Sequence, residues 1–409
     1  MNKAASIKPH AAMKPHAAMK PRAAREQQGI ALILVLLTVA LIAVLAVTMS
    51  GRLHGQIMKM QTMQDVEQAN LYLLSAENLT KRLLKQELDA AEDVVHLGQN
   101  WAAQQPPFPV EGGFIQGTIT DLNSCFNLNS LAATNSETLL ERRKRQFKAL
   151  LLSLGINDYN ADVMTDSLAD WLDSDTNISG TYGAEDADYE ALPTPYQAAN
   201  TLLAHKSELR LIRGFTNAHV RAIDPFVCVR PFSSNGEINI NTIPADRPHL
   251  LSAIFEGQLS LTAAAQILQN RPPKGYAERE DIISDGRLIT AAADAQTAAN
   301  MRASNNRGAS NSGSDSRGTP GATQNQNGGT NADNNPDNGA DNSDDQQNSG
   351  QQNNQNNSGA LDDIVITSDY FELNARVRYG DLVQQGVSVI KFGGSEPVTL
   401  YRGLGRGQD

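Results

Sequence analysis

Six carboxylates crowd into one stretch of the chain: Asp170, Asp173, Asp175, Glu185, Asp186 and Asp188. At neutral pH such a cluster repels itself unless water screens each charge or a cation bridges them. Oxygen donors suit a hard ion such as calcium, and the run Asp173, Asp175, Asn177 imitates the opening of an EF-hand loop. The imitation stops there, because Ile178 stands where that loop needs glycine and Glu185 comes one residue after the bidentate position. Two readings stay open, a solvated acidic loop and a structural calcium site that is not an EF-hand. Catalysis is not expected, since no nucleophile, histidine or phosphate loop accompanies these acids in sequence.

The other reactive side chains are few. Cys125 and Cys228 are the only cysteines. In an oxidising compartment they are free to pair, but the sequence does not oblige them to. A bond between them needs Cα atoms within about 7 Å. His10 and His16 sit on a repeat, Lys-Pro-His-Ala-Ala-Met, that a proline interrupts every six residues. No stable helix forms on such a repeat, and two histidines on a flexible chain make a poor ligand set.

Gly29 stands where a cut would leave an apolar helix at the new N-terminus; the alternative is a plain signal anchor with a chance glycine at its edge. Gly29 precedes Ile30 to Met49, 20 residues in which only Thr38 and Thr48 are polar. Twenty helical residues span about 30 Å, one hydrocarbon core. A secretory signal has a shorter apolar region, with its small residue after that region rather than before it. A cut after Gly29 removes a leader (1–29) with six basic residues and one acid, taking the net charge from -11 to -16. Basic charge is retained in the cytoplasm and the acidic remainder is exported. An acidic exported body argues against nucleic acid as a partner.

Several elements must position these groups. Ala69, Tyr72, Ala76, Leu79, Leu83, Ala90, Val94 and Leu97 recur at steps of three, four or seven, interrupted by Glu87. With no proline between Arg22 and Pro106, one helix from Ile30 to about His96 is allowed, with Gly51 and Gly55 as its soft points. Residues 112–120 read as a strand leading to Phe126-Asn127-Leu128-Asn129. Ser136 caps a helix that Gly155 ends, and helical material is expected to dominate from there to about Ala298. Within it, Phe226 to Val229 reads as a strand, and Asn239-Ile240-Asn241-Thr242-Ile243-Pro244-Ala245 leads into helices at 247–255 and 260–269. Arg302 to Ala360 lacks aromatic, Leu, Ile, Val and Met residues and cannot offset the entropy of ordering. Strands return at 369–379 and 386–392, joined by a turn near Gly380.

Gly29-Ile30 before a retained apolar helix resembles the type IV pilin-like family. Within it, the chain resembles the minor pseudopilins of type II secretion, class K. Their fifth mature residue is not the usual Glu, and here it is Leu34. Phe126 to Asn129, Asp170-Trp171-Leu172-Asp173, Gly183-Ala184-Glu185-Asp186, Pro195-Tyr196, Asn200 and Ser207 to Gly214 resemble that class in order and spacing. The resemblance implies an α+β type IV pilin-like fold: a spine helix (30–97), a small antiparallel sheet begun at 98–131 and finished at 361–409, and a large inserted α-helical domain (132–298). A low-complexity linker (299–360) departs from that class. It further implies a calcium site in the insertion, release of the leader by prepilin peptidase, and an N-methylated Ile30. The expected place is the bacterial inner membrane, with a single pass and the C-terminal body in the periplasm. Expected partners are the class I and J minor pseudopilins, the major pseudopilin and the inner-membrane secretion platform. The expected work is at the pseudopilus tip, helping start its assembly and the export of folded proteins across the outer membrane. The Asn-x-Asn-Thr-x-Pro-Ala entry also resembles helix-hairpin-helix modules of DNA-uptake pseudopilins, which bind duplex DNA. An acid, Glu256, heads the turn where such modules meet phosphate.

Overall fold

The structure is a computed structural model that describes residues 27–91, 94–132, 136–311, 359–393 and 396–406. The leader repeat and most of the expected linker lie outside the described residues. The chain divides into two compact units, residues up to Glu67 and residues from Gln68 onward.

The first unit contains the start of helix α1 (Gln27–Ala90). From Ile30 to Met49 every side chain is exposed, and the helix is long and apolar enough to cross a membrane.

In the second unit the remainder of α1 lies on an antiparallel sheet. Strands β1 (Phe108–Val110) and β2 (Gly113–Asp121) open it. The insertion then runs from β3 (Phe126–Asn127) through α2 (Glu137–Ser153), α3 (Asp158–Leu172), α4 (Asp186–Glu190), α5 (Asn217–Ile223) and β4 (Val227–Cys228). It continues with β5 (Ile238–Asn239), α6 (Pro248–Ile254), α7 (Leu261–Gln269), α8 (Arg279–Ile283) and α9 (Gly286–Asn311). After β6 (Ile364–Val365) the sheet is finished by β7 (Tyr370–Tyr379), β8 (Leu382–Lys391) and β9 (Val398–Arg406), giving the order β1-β2-β7-β8-β9.

Several bounds differ from the sequence reading. Helix α1 ends at Ala90 rather than near His96, and its buried face is Ala69, Leu73, Glu77, Thr80, Leu84 and Leu88, while Leu79 is 59% exposed. The apolar stripe read from the sequence is rotated by about one residue, because the true face passes through a carboxylate. Glu77 is tolerated there because Arg402, on the last strand, grips it with bonds of 2.8 and 2.9 Å. The helical expectation also fails between α3 and α5, where only α4 and a 3-10 turn (Lys206–Leu211) are regular. At the far end α9 runs on to Asn311, past Ala298 and into the stretch read as linker. β1 and β9 were not foreseen: Pro109 hides the first, and glycines 403 and 405 dilute the alternation of the second.

The insertion contains the same device twice. The Asn127 side-chain oxygen accepts the Asn129 N–H (3.3 Å), and that of Asn239 accepts the Asn241 N–H (2.9 Å). Asn129 brackets the backbone of Leu203, with bonds of 3.0 Å to its carbonyl and 2.9 Å from its N–H. Asn241 brackets Tyr276 in the same way, at 3.0 and 2.8 Å. Each pair precedes a helical hairpin, α2–α3 turning at Gly155 (φ +81°) and α6–α7 turning at Gly257 (φ +80°). A buried amide bonded through both its nitrogen and its oxygen holds a loop in one register. The two halves differ chiefly in the connection that each bracket closes: residues 173–202 in the first and 270–275 in the second. The acidic stretch is that longer connection.

Candidate functional site

Asp170 is fully buried in the last turn of α3, and its Oδ1 accepts the Ser179 N–H (3.0 Å) and the Ser179 hydroxyl. Gly183 permits this approach, since a Cβ there would lie 2.0 Å from Asp170 Oδ2. The helix ends two residues later, at Leu172, which releases Asp173 and Asp175 into the loop. There Asp175 Oδ1 accepts both the backbone N–H (2.7 Å) and the side-chain amide (3.0 Å) of Asn177. The chain returns at Glu185, just before α4. Asp173, Asp175 and Glu185 each bring a carboxylate oxygen to within 4.8 Å of the other two.

The loop leaves a set of buried oxygens without hydrogen-bond donors: Asp170 Oδ2, Asp173 Oδ1, both oxygens of Glu185, and Asn200 Oδ1. Asn200 belongs to the same loop, donating its amide to the Asp175 carbonyl (2.9 Å), and its backbone is left-handed (φ +46°). Burial, then repulsion from Asp175 and Asp170, pushes the Asp173 carboxyl up to about 6. Burial, then Asp170 and Asp173, pushes Glu185 up to about 7. Unsatisfied buried acceptors with mutually raised pKa values are what a divalent cation reverses, and an all-oxygen donor set fits a hard ion.

Two of the six acids belong elsewhere. Asp186 accepts the Ala198 N–H (2.9 Å), and Asp188 pairs with Arg213 (3.2 Å) while accepting the Glu185 N–H (3.3 Å). They shape the loop around the cluster and are not part of it. Asn200 is the member that reasoning on charge missed, because a neutral amide adds nothing to an acidic count.

Cys125 and Cys228 form a disulfide with Cα atoms 5.8 Å apart, next to the parallel β3–β4 pair. Leu122, Tyr370 and Val389 pack round it, so the bond ties the insertion's first half to the sheet. Gly29 is helical, and Leu34 is an exposed apolar residue of α1.

Three amides at the head of the α6–α7 turn are occupied. The N–H groups of Glu256, Gly257 and Gln258 donate to the carbonyls of Ala253, Ser252 and Phe255 (2.9, 3.0 and 2.9 Å). Glu256 grips Arg145 through two bonds of 2.7 and 3.0 Å. Phosphate recognition at a helical hairpin needs free amides, and these three are taken. A groove of about 1210 Å³ between α2 and α9 includes this ion pair and shares no residue with the acidic cluster.

Two family models, both described as type II secretion system protein K, match residues 124–232 and 238–301. Their boundary falls between the two asparagine-bracketed halves. The type II secretion system protein K of Aeromonas hydrophila is 39% identical over 263 residues, covering 63% of this chain and 79% of that protein. That of Klebsiella pneumoniae is 36% identical over 264 residues, covering 64% and 80%. Among solved structures, the fold is similar to a chain of the GspK-GspI-GspJ complex from the enterotoxigenic Escherichia coli type 2 secretion system. The TM-score is 0.63 at 24% identity, covering 85% of this chain and 100% of that one.

Proposed function

Because this chain belongs to the type II secretion system protein K family, we propose that it is a minor pseudopilin at the tip of the pseudopilus, helping to start its assembly and the export of folded proteins. The observation that carries this reading is the combination of α1 with Leu34. An apolar membrane helix is joined to a pilin-like sheet, and no acid stands at the fifth position after Gly29. A carboxylate among lipid tails costs several kcal/mol unless a neighbour pairs with it. A subunit at the leading end has no neighbour ahead, and Leu34 removes that cost. The amine of Ile30, freed by prepilin peptidase and methylated, stays available to a subunit behind. The large insertion fits an end position for the same reason, because it obstructs stacking along a shaft.

By analogy with the complex of the similar structure, its partners are the class I and J minor pseudopilins, with the major pseudopilin and the inner-membrane platform beyond. Asp173, Asp175 and Glu185, with Asn200 and Asp170 beside them, would hold calcium, which supplies positive charge to oxygens that have no donor. Its role is structural, closing the longer connection of the first half.

Cysteine crosslinking along the spine tests the tip position. This chain is expected at about one copy per filament, crosslinked to other pseudopilins and not to itself; efficient self-crosslinking overturns the assignment. The DNA-uptake reading predicts a mobility shift of duplex DNA by the periplasmic body, and none is expected.

A further inference from the structure

Between the two halves of the insertion the chain makes a tight turn at Arg230-Pro231-Phe232-Ser233, closed by the Ser233 N–H donating to the Arg230 carbonyl (3.2 Å). Proline at the second position and a positive φ at the third is the pattern of a type II turn, whose third residue is normally Gly or Asn. Here it is Phe232, with φ +59°. A bulky side chain in the left-handed region is an outlier that its surroundings must impose.

The surroundings do impose it. The Asn127 amide donates to the carbonyls of Ser233 (2.9 Å) and Asn235 (2.8 Å), and its oxygen accepts the Arg230 N–H (3.1 Å). Arg230, itself buried, donates to the Glu237 carbonyl (2.9 Å) and lies over the ring of Tyr370 on β7 (5.9 Å). At Gly236 a Cβ would run into the Arg143 guanidinium. The turn is therefore clamped on both sides of Phe232, yet Phe232 is 80% exposed.

Within the chain this residue has two unfavourable features, a strained backbone and an apolar ring in water, and nothing among the described residues offsets them. We infer that Phe232 is a preorganised anchor that inserts into an apolar socket on a neighbouring pilin-like protein. Its exposed polar neighbours Ser234 and Asn235 match the polar surround of an interface hot spot. A membrane is the poorer fit, since one ring without exposed cations or further apolar neighbours in the turn binds lipid weakly. The contact with Tyr370 places the turn at the seam between insertion and sheet. The choice of a pilin-like partner rests on the function proposed above.

The test uses the full chain in native membranes, with a photo-crosslinking benzoylphenylalanine at Phe232 and, separately, at exposed Leu71 on the spine. Capture of a pilin-like protein from both sites is expected. Capture from Leu71 alone, or capture only of lipid or exported protein at 232, overturns the anchor and leaves the family role standing. Failure at both sites overturns the role and the anchor together. Phe232→Gly and Phe232→Asn provide a second readout. Both relieve the turn, so the melting temperature should rise by a few degrees, while co-purification of partner pseudopilins should fall roughly tenfold. Unchanged co-purification overturns the inference.

Discussion

At the scale of single residues, the acidic loop sets carboxylate repulsion against the calcium binding proposed for it. Calcium should raise the melting temperature of the protein and a chelator should lower it, since a ligand at 100 times its Kd stabilises the native state by about 2.7 kcal/mol. Asp173→Asn should remove most of that response. Asn200→Ala should weaken it, because a neutral oxygen is lost while the charge is kept. In chelator, Glu185→Gln should melt higher than the parent, since it removes a charge that its neighbours oppose. A melting curve unchanged across millimolar calcium leaves only a solvated loop.

At the scale of elements, two long-range ties hold the sheet to what packs on it. The first is Glu77 on α1, where Arg402 and Thr399 of β9, Ser388 of β8 and Lys81 converge. Burial alone would raise this carboxyl, but the hydrogen bonds from Arg402, Thr399, Lys81 and Ser388 outweigh it and hold it down at about 2. A carboxyl lowered in the fold adds stability that is complete above its unfolded value of 4.5 and is lost as pH falls toward 2. The lost contribution is on the order of 3 kcal/mol. Glu77→Gln should therefore be less stable than the parent at neutral pH, and the two melting curves should converge between pH 4.5 and 2. Parallel curves through that window would show that Glu77 does not titrate as described. The second tie is the disulfide, which closes a loop across a sequence separation of 103. In the chain-entropy model a loop of that size is worth up to about 4 to 5 kcal/mol. The double variant Cys125→Ser, Cys228→Ser should show a denaturation midpoint lowered accordingly.

At the scale of the whole molecule, the expectation concerns its N-terminus. Mass spectrometry of membrane material should find a chain starting at a methylated Ile30 when prepilin peptidase is present, and the leader retained when it is absent. A mature chain that still carries residues 1–29 would remove the pilin-like processing.

What the sequence by itself determined was whatever depends on neighbours in the chain. The apolar run from Ile30 to Met49, the cap at Ser136, the turn at Gly155 and the alternation of residues 369–379 were all legible, since hydrophobic period and capping chemistry are local. The acidic cluster was legible as a density of charge, and Asp173, Asp175 and Glu185 within it do converge. Tertiary structure decided which acids face one another, turning Asp186 to Ala198 and Asp188 to Arg213 and bringing Asn200 beside Asp175. It also decided the face of α1. A glutamate read alone marks a solvent side, and only a strand more than three hundred residues later supplies the arginine that lets Glu77 be buried. The strain at Phe232 lay equally out of reach, because a φ angle imposed by Asn127 from across the insertion leaves no trace in the residues of the turn itself. Short-range physics is written along the chain, whereas the compensation of buried charge and strain is settled only when distant segments meet.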